Sequence, residues 1–252
     1  MSSVKASVTA ANFDAVLFDL DGVLTATAKV HAACWKKTFD DYLQQRATTS
    51  GEPFQPFDLE KDYNLYVDGK PRYEGVKSFL ESRGINLPYG DPGDSPDKET
   101  ICGIGNRKEE LVIATLKNEG VEVYPGSVAW VKHLRQAGIK TAVVSSSKNC
   151  LAVLQAGSID GLFDVRVDGH VVEDQKLPGK PAPDTYLHAA DLLGVSAKRS
   201  VVVEDALSGV QAGRNGHFGL VLGVNRLGPD HAADLLKNGA DVVVNDLKEM
   251  LP

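Results

Sequence analysis

Phe13-Asp14-Ala15-Val16-Leu17-Phe18-Asp19-Leu20-Asp21-Gly22-Val23-Leu24-Thr25 is the stretch on which the reading of this chain turns. Its first part is short, apolar and β-prone, the composition of a central parallel strand covered on both faces. Gly22 breaks the run. Alternate strand residues point the same way, so Asp19 and Asp21 would share a side if the strand continued, and the turn at Gly22 exposes backbone groups around them. Two carboxylates so close need a cation or a proton between them. The pattern predicts a buried strand that delivers acidic groups to a site at its carboxyl end.

The rest of the chain sets limits on that site. With 252 residues and 42% hydrophobic content, the chain can bury one large core and a smaller one. A formal net charge of -7 argues against a general nucleic-acid binder and leaves room for a local basic pocket that takes a small anion. No apolar run is long enough to span a bilayer, and Met1 to Ala6 does not lead into a signal-peptide core. A soluble, cytoplasmic protein is expected. Cys34, Cys102 and Cys150 are odd in number, widely spaced and without clustered histidine, so they predict structural thiols rather than a disulfide framework or a zinc site.

Beyond about Tyr124 helical stretches alternate with β-rich runs at 140–145, 200–204, 218–223 and 240–244. That alternation predicts βα units on a parallel sheet, with the strand before Asp19 in the same sheet. Between the two lie helical patterns at 28–45, 75–83 and 106–119 and no comparable strand series. The expected fold is α/β, a Rossmann-like parallel-sheet core formed by 1–27 and 121–252, with 28–120 inserted as a helical cap. Pro-, Gly- and Asp-rich loops are expected at 50–56 and 87–96.

Polar residues cluster at the predicted strand ends and in the loops between them, where open α/β sheets place their sites. Asp19 and Asp21 close the first strand, Ser145 the second, and Glu204-Asp205 a later one; Lys180 lies in Gly179-Lys180-Pro181-Ala182-Pro183-Asp184, where prolines stiffen the backbone. Taken singly, each has a simpler reading: an aspartate turn, a serine or acidic helix cap, a solvated lysine. Those readings do not account for their order along the chain. Together they supply phosphoryl transfer through a covalent intermediate. Asp19 is a competent nucleophile, and Asp21 is placed to move a proton. Ser145 and Lys180 would bind phosphate oxygens, and Asp19, Asp205 and Glu204 offer the hard oxygen ligands that Mg²⁺ takes.

These four motifs, in this order, resemble those of the haloacid dehalogenase superfamily, and the chain is similar over nearly its whole length to the β-phosphoglucomutase-like branch. The resemblance implies the same core and cap, Mg²⁺ dependence, Asp19 as nucleophile and Asp21 as acid/base. It also implies that Asp21 gives its backbone carbonyl to Mg²⁺, which keeps its side chain for proton transfer. Ser147-Lys148-Asn149 matches a segment that holds the substrate's non-transferring phosphate. Arg72 looks like the cap arginine paired with that phosphate, a task suited to a bidentate donor. Lys108 resembles a cap lysine near the sugar, and His31 and Trp35 match a histidine and a tryptophan on the first cap helix. In one respect the chain departs from the pattern: Ala26 stands where the branch commonly has aspartate, at the junction of core and cap.

Two candidate anion sites favour a mutase, and the resemblance implies one that takes β-glucose 1-phosphate to glucose 6-phosphate through a β-1,6-bisphosphate. A phosphomonoesterase with the same intermediate needs one site, and a non-catalytic sugar-phosphate binder would need no intact nucleophile. A small phosphorylated sugar is the expected partner in each case.

Overall fold

The protein was analysed as a computed structural model, which describes residues 7–51 and 53–252. Met1 to Ala6 and Glu52, on which the signal-peptide reading and part of the first loop expectation fall, lie outside the described residues. The chain forms two compact units, 1–26 with 121–252, and 27–120. The second begins at Thr27, one residue before the expected boundary, because Thr27 is already the first residue of a helix.

The larger unit is built on a six-stranded, wholly parallel sheet. Its strands are β1 (Ala15–Phe18), β2 (Lys140–Val144), β3 (Val165–Val167), β4 (Ser200–Glu204), β5 (Leu220–Val224) and β6 (Val242–Val244), in the spatial order β3-β2-β1-β4-β5-β6. β1 is buried throughout, as its unbroken apolar sequence requires. Ala15 and Leu17 face a cluster with Tyr186 and Ala189, while Phe18 meets Trp130 edge-on at 5.5 Å. Helices therefore cover both faces. They are α4 (Pro125–Gln136), α5 (Cys150–Ala156), α6 (Gly169–Asp174), α7 (Asp184–Leu193), α8 (Leu207–Asn215) and α9 (Pro229–Asn238). β3 was not foreseen: it has three residues, Val-Arg-Val, and its central Arg166 is exposed, so it carries no apolar run for a pattern to detect.

The strand order puts a topological switch point at β1. The chain proceeds from β1 to β2 and β3 on one side, then returns to β4 on the other, which opens a crevice at the carboxyl ends of β1, β2 and β4. Asp19, Ser145 and Glu204-Asp205 stand at those ends.

The smaller unit is helical, with no strand among its described residues. It comprises α1 (Thr27–Ser50), a π-helical turn (Tyr63–Val67), α2 (Arg72–Ser82) and α3 (Ile101–Glu119). Trp35, Phe39 and Leu43 recur at four-residue spacing along α1 and are buried with Phe57, Phe79, Leu80 and Ile104. Phe39 stacks on Trp35 at 5.1 Å and meets Phe79 at 4.2 Å. α3 starts at Ile101, ahead of the expected Asn106, because Thr100 caps it by accepting from the Gly103 amide at 2.9 Å. In the larger unit, both segments leading to the helical insertion are joined by main chain: Ala26 N donates to Glu122 O and Tyr124 N to Leu24 O, each at 2.9 Å.

Candidate active site

The turn after β1 is fixed by its own backbone. Gly22 has φ of 83° and donates to Thr25 O at 2.7 Å, while Leu24 and Thr25 both donate to Leu20 O. A side chain here would fail twice, since positive φ is strained for L residues and a Cβ would lie 1.7 Å from Asp205 Oδ2. Asp205 thus packs directly against the Gly22 backbone. From the far side Arg226 donates to Gly22 O at 2.6 Å and to Asn245 O at 3.1 Å, with its guanidinium over the Tyr124 ring. The strand does not run on through Asp21 as a plain extension would; β1 ends at Phe18 and the chain turns.

Asp19 is buried, at 7% exposure, and Lys180 is more so, at 2%. Lys180 Nζ donates to Asp19 Oδ1 at 2.5 Å, pairs with Glu204 Oε1 at 2.6 Å and reaches Val144 O at 3.3 Å. One cation therefore ties the ends of β1, β2 and β4 together. Lys180 lies in the loop before α7, which starts at Asp184, and Pro181 and Pro183 restrict the backbone on its C-terminal side. Tyr186 in the first turn of α7 donates to Glu204 Oε1 at 2.7 Å, and its ring lies 5.0 Å from Lys180 Nζ. Glu204 in turn needs Gly209, where a Cβ would fall 1.9 Å from the carboxylate.

Burial pushes the Asp19 carboxyl well above the usual carboxylate range; Lys180 opposes this, and Glu204 and Asp21 reinforce it. Burial also disfavours the Lys180 cation, but Asp19 and Glu204 outweigh it and hold the ammonium protonated. Asp19, Glu204 and Asp205 each offer an oxygen within 4.8 Å of the others, and all three are buried. Three carboxylates against one ammonium leave a net negative, oxygen-lined cluster, which fits a hard divalent cation such as Mg²⁺. The side chain of Asp21 stands outside this cluster.

After β2, Ser145 Oγ accepts from Ser147 N and Ser147 Oγ from Asn149 N, each at 3.1 Å. The Ser145 hydroxyl organises a turn rather than capping the helix; α5 begins at Cys150. Lys148 pairs with Glu173 at 2.6 Å.

In the helical unit Lys108, His31 and Trp35 come together. Lys108 is buried, its Nζ is 2.7 Å from His31 Nδ1, and it sits 4.8 Å from the centroid of the Trp35 ring. Arg72, the first residue of α2, pairs with Glu109 at 2.9 Å and donates to the Tyr73 hydroxyl at 3.0 Å. Tyr186, Arg226, Glu109 and Tyr73 were not foreseen. An aromatic just inside the helix after Lys180 hinted at Tyr186, but no spacing links Arg226 to Gly22, from which it is 204 positions away.

Residues 13–217 match the family described as haloacid dehalogenase-like hydrolase. Over 238 residues the chain is 50% identical to the β-phosphoglucomutase of Mycobacterium bovis, covering 94% of this chain and 91% of that one. It is 30% identical to the β-phosphoglucomutase of Bacillus subtilis, with 93% and 94% covered. The fold is that of the β-phosphoglucomutase structure from Clostridium difficile, with a TM-score of 0.71 over 94% of this chain and 93% of that one, at 24% identity. The chain is a phosphoryl-transfer enzyme of the haloacid dehalogenase-like hydrolase family, in its β-phosphoglucomutase-like branch.

Proposed function

We propose that this protein converts β-glucose 1-phosphate to glucose 6-phosphate through a phosphoryl group carried on Asp19. The observation that carries the reading is the buried Asp19–Lys180–Glu204 junction at the switch point, in a chain half identical to a β-phosphoglucomutase. A carboxylate oxygen of Asp19 bonds to phosphorus as the bond from phosphorus to the sugar oxygen breaks, and Asp21 gives that oxygen its proton. In the reverse step Asp21 takes the proton from a sugar hydroxyl, whose oxygen then accepts the phosphoryl group from Asp19. Lys180 fixes the Asp19 carboxylate and compensates charge on phosphate oxygens, and Ser145 donates to another. Asp19, Glu204 and Asp205, with the Asp21 carbonyl, would hold Mg²⁺, which supplies neutralisation of negative charge between carboxylate and phosphate.

A mutase must hold the phosphate that is not being transferred. In this reading the helical unit, 27–120, acts as the cap domain and 1–26 with 121–252 as the catalytic core. Arg72 and Ser147-Lys148-Asn149 take the distal phosphate, and Lys108 with His31 and Trp35 takes the sugar. Closure keeps water from the phospho-aspartate until a hydroxyl attacks. A cytoplasmic setting and a small phosphorylated sugar as partner belong to the same reading. No helix among the described residues is long and apolar enough to cross a membrane.

Purified protein with Mg²⁺, β-glucose 1-phosphate and a trace of β-glucose 1,6-bisphosphate is expected to form glucose 6-phosphate faster than inorganic phosphate. Dominant phosphate release would instead make it a phosphomonoesterase.

A further inference from the structure

The Pro-rich segment between α2 and α3 is long for a connection between packed helices, and ordering it is entropically costly. It is nonetheless tied down at several points. Asp94 is buried and accepts from Lys98 at 2.5 Å and from Thr100 Oγ1 at 2.8 Å, beside the cap of α3. Arg107 donates through Nε and Nη2 to Pro96 O, at 3.0 and 2.9 Å. Asn106 donates through its amide to Pro92 O at 3.0 Å and to Asp94 O at 2.8 Å. The other end of the Asn106 side chain leads elsewhere: its Oδ1 accepts from the Tyr73 hydroxyl at 2.9 Å, and that hydroxyl accepts from Arg72 Nη2 at 3.0 Å. An unbroken line of hydrogen bonds thus runs from the loop carbonyls through Asn106 and Tyr73 to the guanidinium of Arg72.

The packing around this line is close. A Cβ at Gly105 would lie 2.8 Å from the Tyr73 ring and 3.3 Å from Arg72 Cγ, so the backbone of α3 rests against both side chains. Glu109 takes Arg72 Nη1 at 2.9 Å, while Nε is buried with no hydrogen-bond partner. Among the described residues the guanidinium's hydrogen bonds run through its two terminal nitrogens, one to a carboxylate and one to a neutral hydroxyl, and it also lies 4.8 Å from the centre of the Tyr73 ring. The carboxylate balances its charge. The hydroxyl can orient it without competing for charge, and the orientation of a planar fork decides whether it grips phosphate with one bond or two.

We propose that Tyr73 and Asn106 are positioning residues that use the 87–100 loop as a buttress to aim Arg72, and so set how tightly this enzyme holds the distal phosphate of its sugar phosphate. The proposal rests on the assignment of Arg72 to that phosphate. It gives the loop a function: a segment that touches no reacting atom fixes substrate affinity through two side chains.

The test compares β-glucose 1-phosphate, which presents a second phosphate to the enzyme in the bisphosphate cycle, with p-nitrophenyl phosphate, which never does. In the full-length enzyme with Mg²⁺, Tyr73→Phe is expected to lower the ratio of kcat/KM for the sugar phosphate to that for the small ester by about five- to tenfold, the size of one neutral hydrogen bond. The change should lie in KM rather than kcat. Asn106→Leu, which keeps side-chain volume, is expected to do the same. The double variant should lose no more than the worse single, because both act on one line of contacts. Arg72→Ala, run alongside, tests the underlying assignment and should lower the ratio by far more. If Arg72→Ala lowers the ratio and neither Tyr73→Phe nor Asn106→Leu does, or if their losses fall equally on both substrates, the buttress is overturned and the Arg72 assignment stands. If Arg72→Ala leaves the ratio unchanged, the assignment fails and the buttress with it.

Discussion

As the proposed nucleophile, Asp19 combines two requirements that pull against each other. A nucleophile must be ionised, yet water must be kept from the phospho-aspartate, so the carboxylate is buried and burial raises its pKa. Lys180 at 2.5 Å meets part of this demand, but it is shared with Glu204, and three carboxylates remain against one ammonium. A divalent cation held at the cluster would favour the ionised form of Asp19. Asp19→Ala is expected to abolish formation of a phosphoenzyme and to lower turnover on the order of 10³-fold or more, since the proposed reaction assigns the phosphoryl group to no other side chain. Labelled phosphate still bound covalently to that variant would refute the assignment. Asp19, Asp21 and Lys180 were legible in the sequence because acid, acid and amine follow predicted strands or stiff loops. Tyr186 was not, because its role depends on the Glu204 oxygen that it reaches across the site.

At the scale of elements, the turn after β1 is a fitted piece. Gly22 lets the backbone turn and lets Asp205, from the end of β4, pack where a side chain would otherwise stand. Gly22→Ala is expected to destabilise the fold by about 1–3 kcal/mol through strain and overpacking. It should weaken Mg²⁺ binding as well, because Asp205 has to move. Calorimetric Mg²⁺ titration alongside thermal unfolding checks this: unchanged metal affinity in a destabilised variant would show that Asp205 does not need the space. Helix starts illustrate why boundaries were less legible than elements. The apolar pattern of α3 was visible, but its start was set by the Thr100 cap and by Asp94 beneath it, which only the folded loop brings together.

At the scale of the whole molecule, the acidic cluster couples metal, pH and stability. The folded-state pKa of Asp19 lies above its unfolded value, so the folded protein binds the extra proton. Without metal this costs stability as pH rises through the window between the two values. Metal at the cluster favours the ionised form and reverses the sign. Saturating Mg²⁺ is expected to raise the thermal midpoint by roughly 5–10 °C near about pH 8 and by clearly less near about pH 5.5. An equal rise at both pH values would place the metal away from Asp19.

The sequence by itself determined the reaction class and five of the six strands of the sheet, all but β3. Buried parallel strands must be continuously apolar, and the polar residues that end them collect at one edge whatever the details of packing. It also supplied Arg72, Lys108, His31 and Trp35 by resemblance. Only the tertiary structure decided how those side chains are held. The pairing of Lys180 with two strand ends, the clamp of Arg226 on Gly22 and the line from Pro92 through Asn106 and Tyr73 to Arg72 join residues distant in the chain. Such contacts depend on distances of a few ångströms between segments, which no local pattern of residue types encodes.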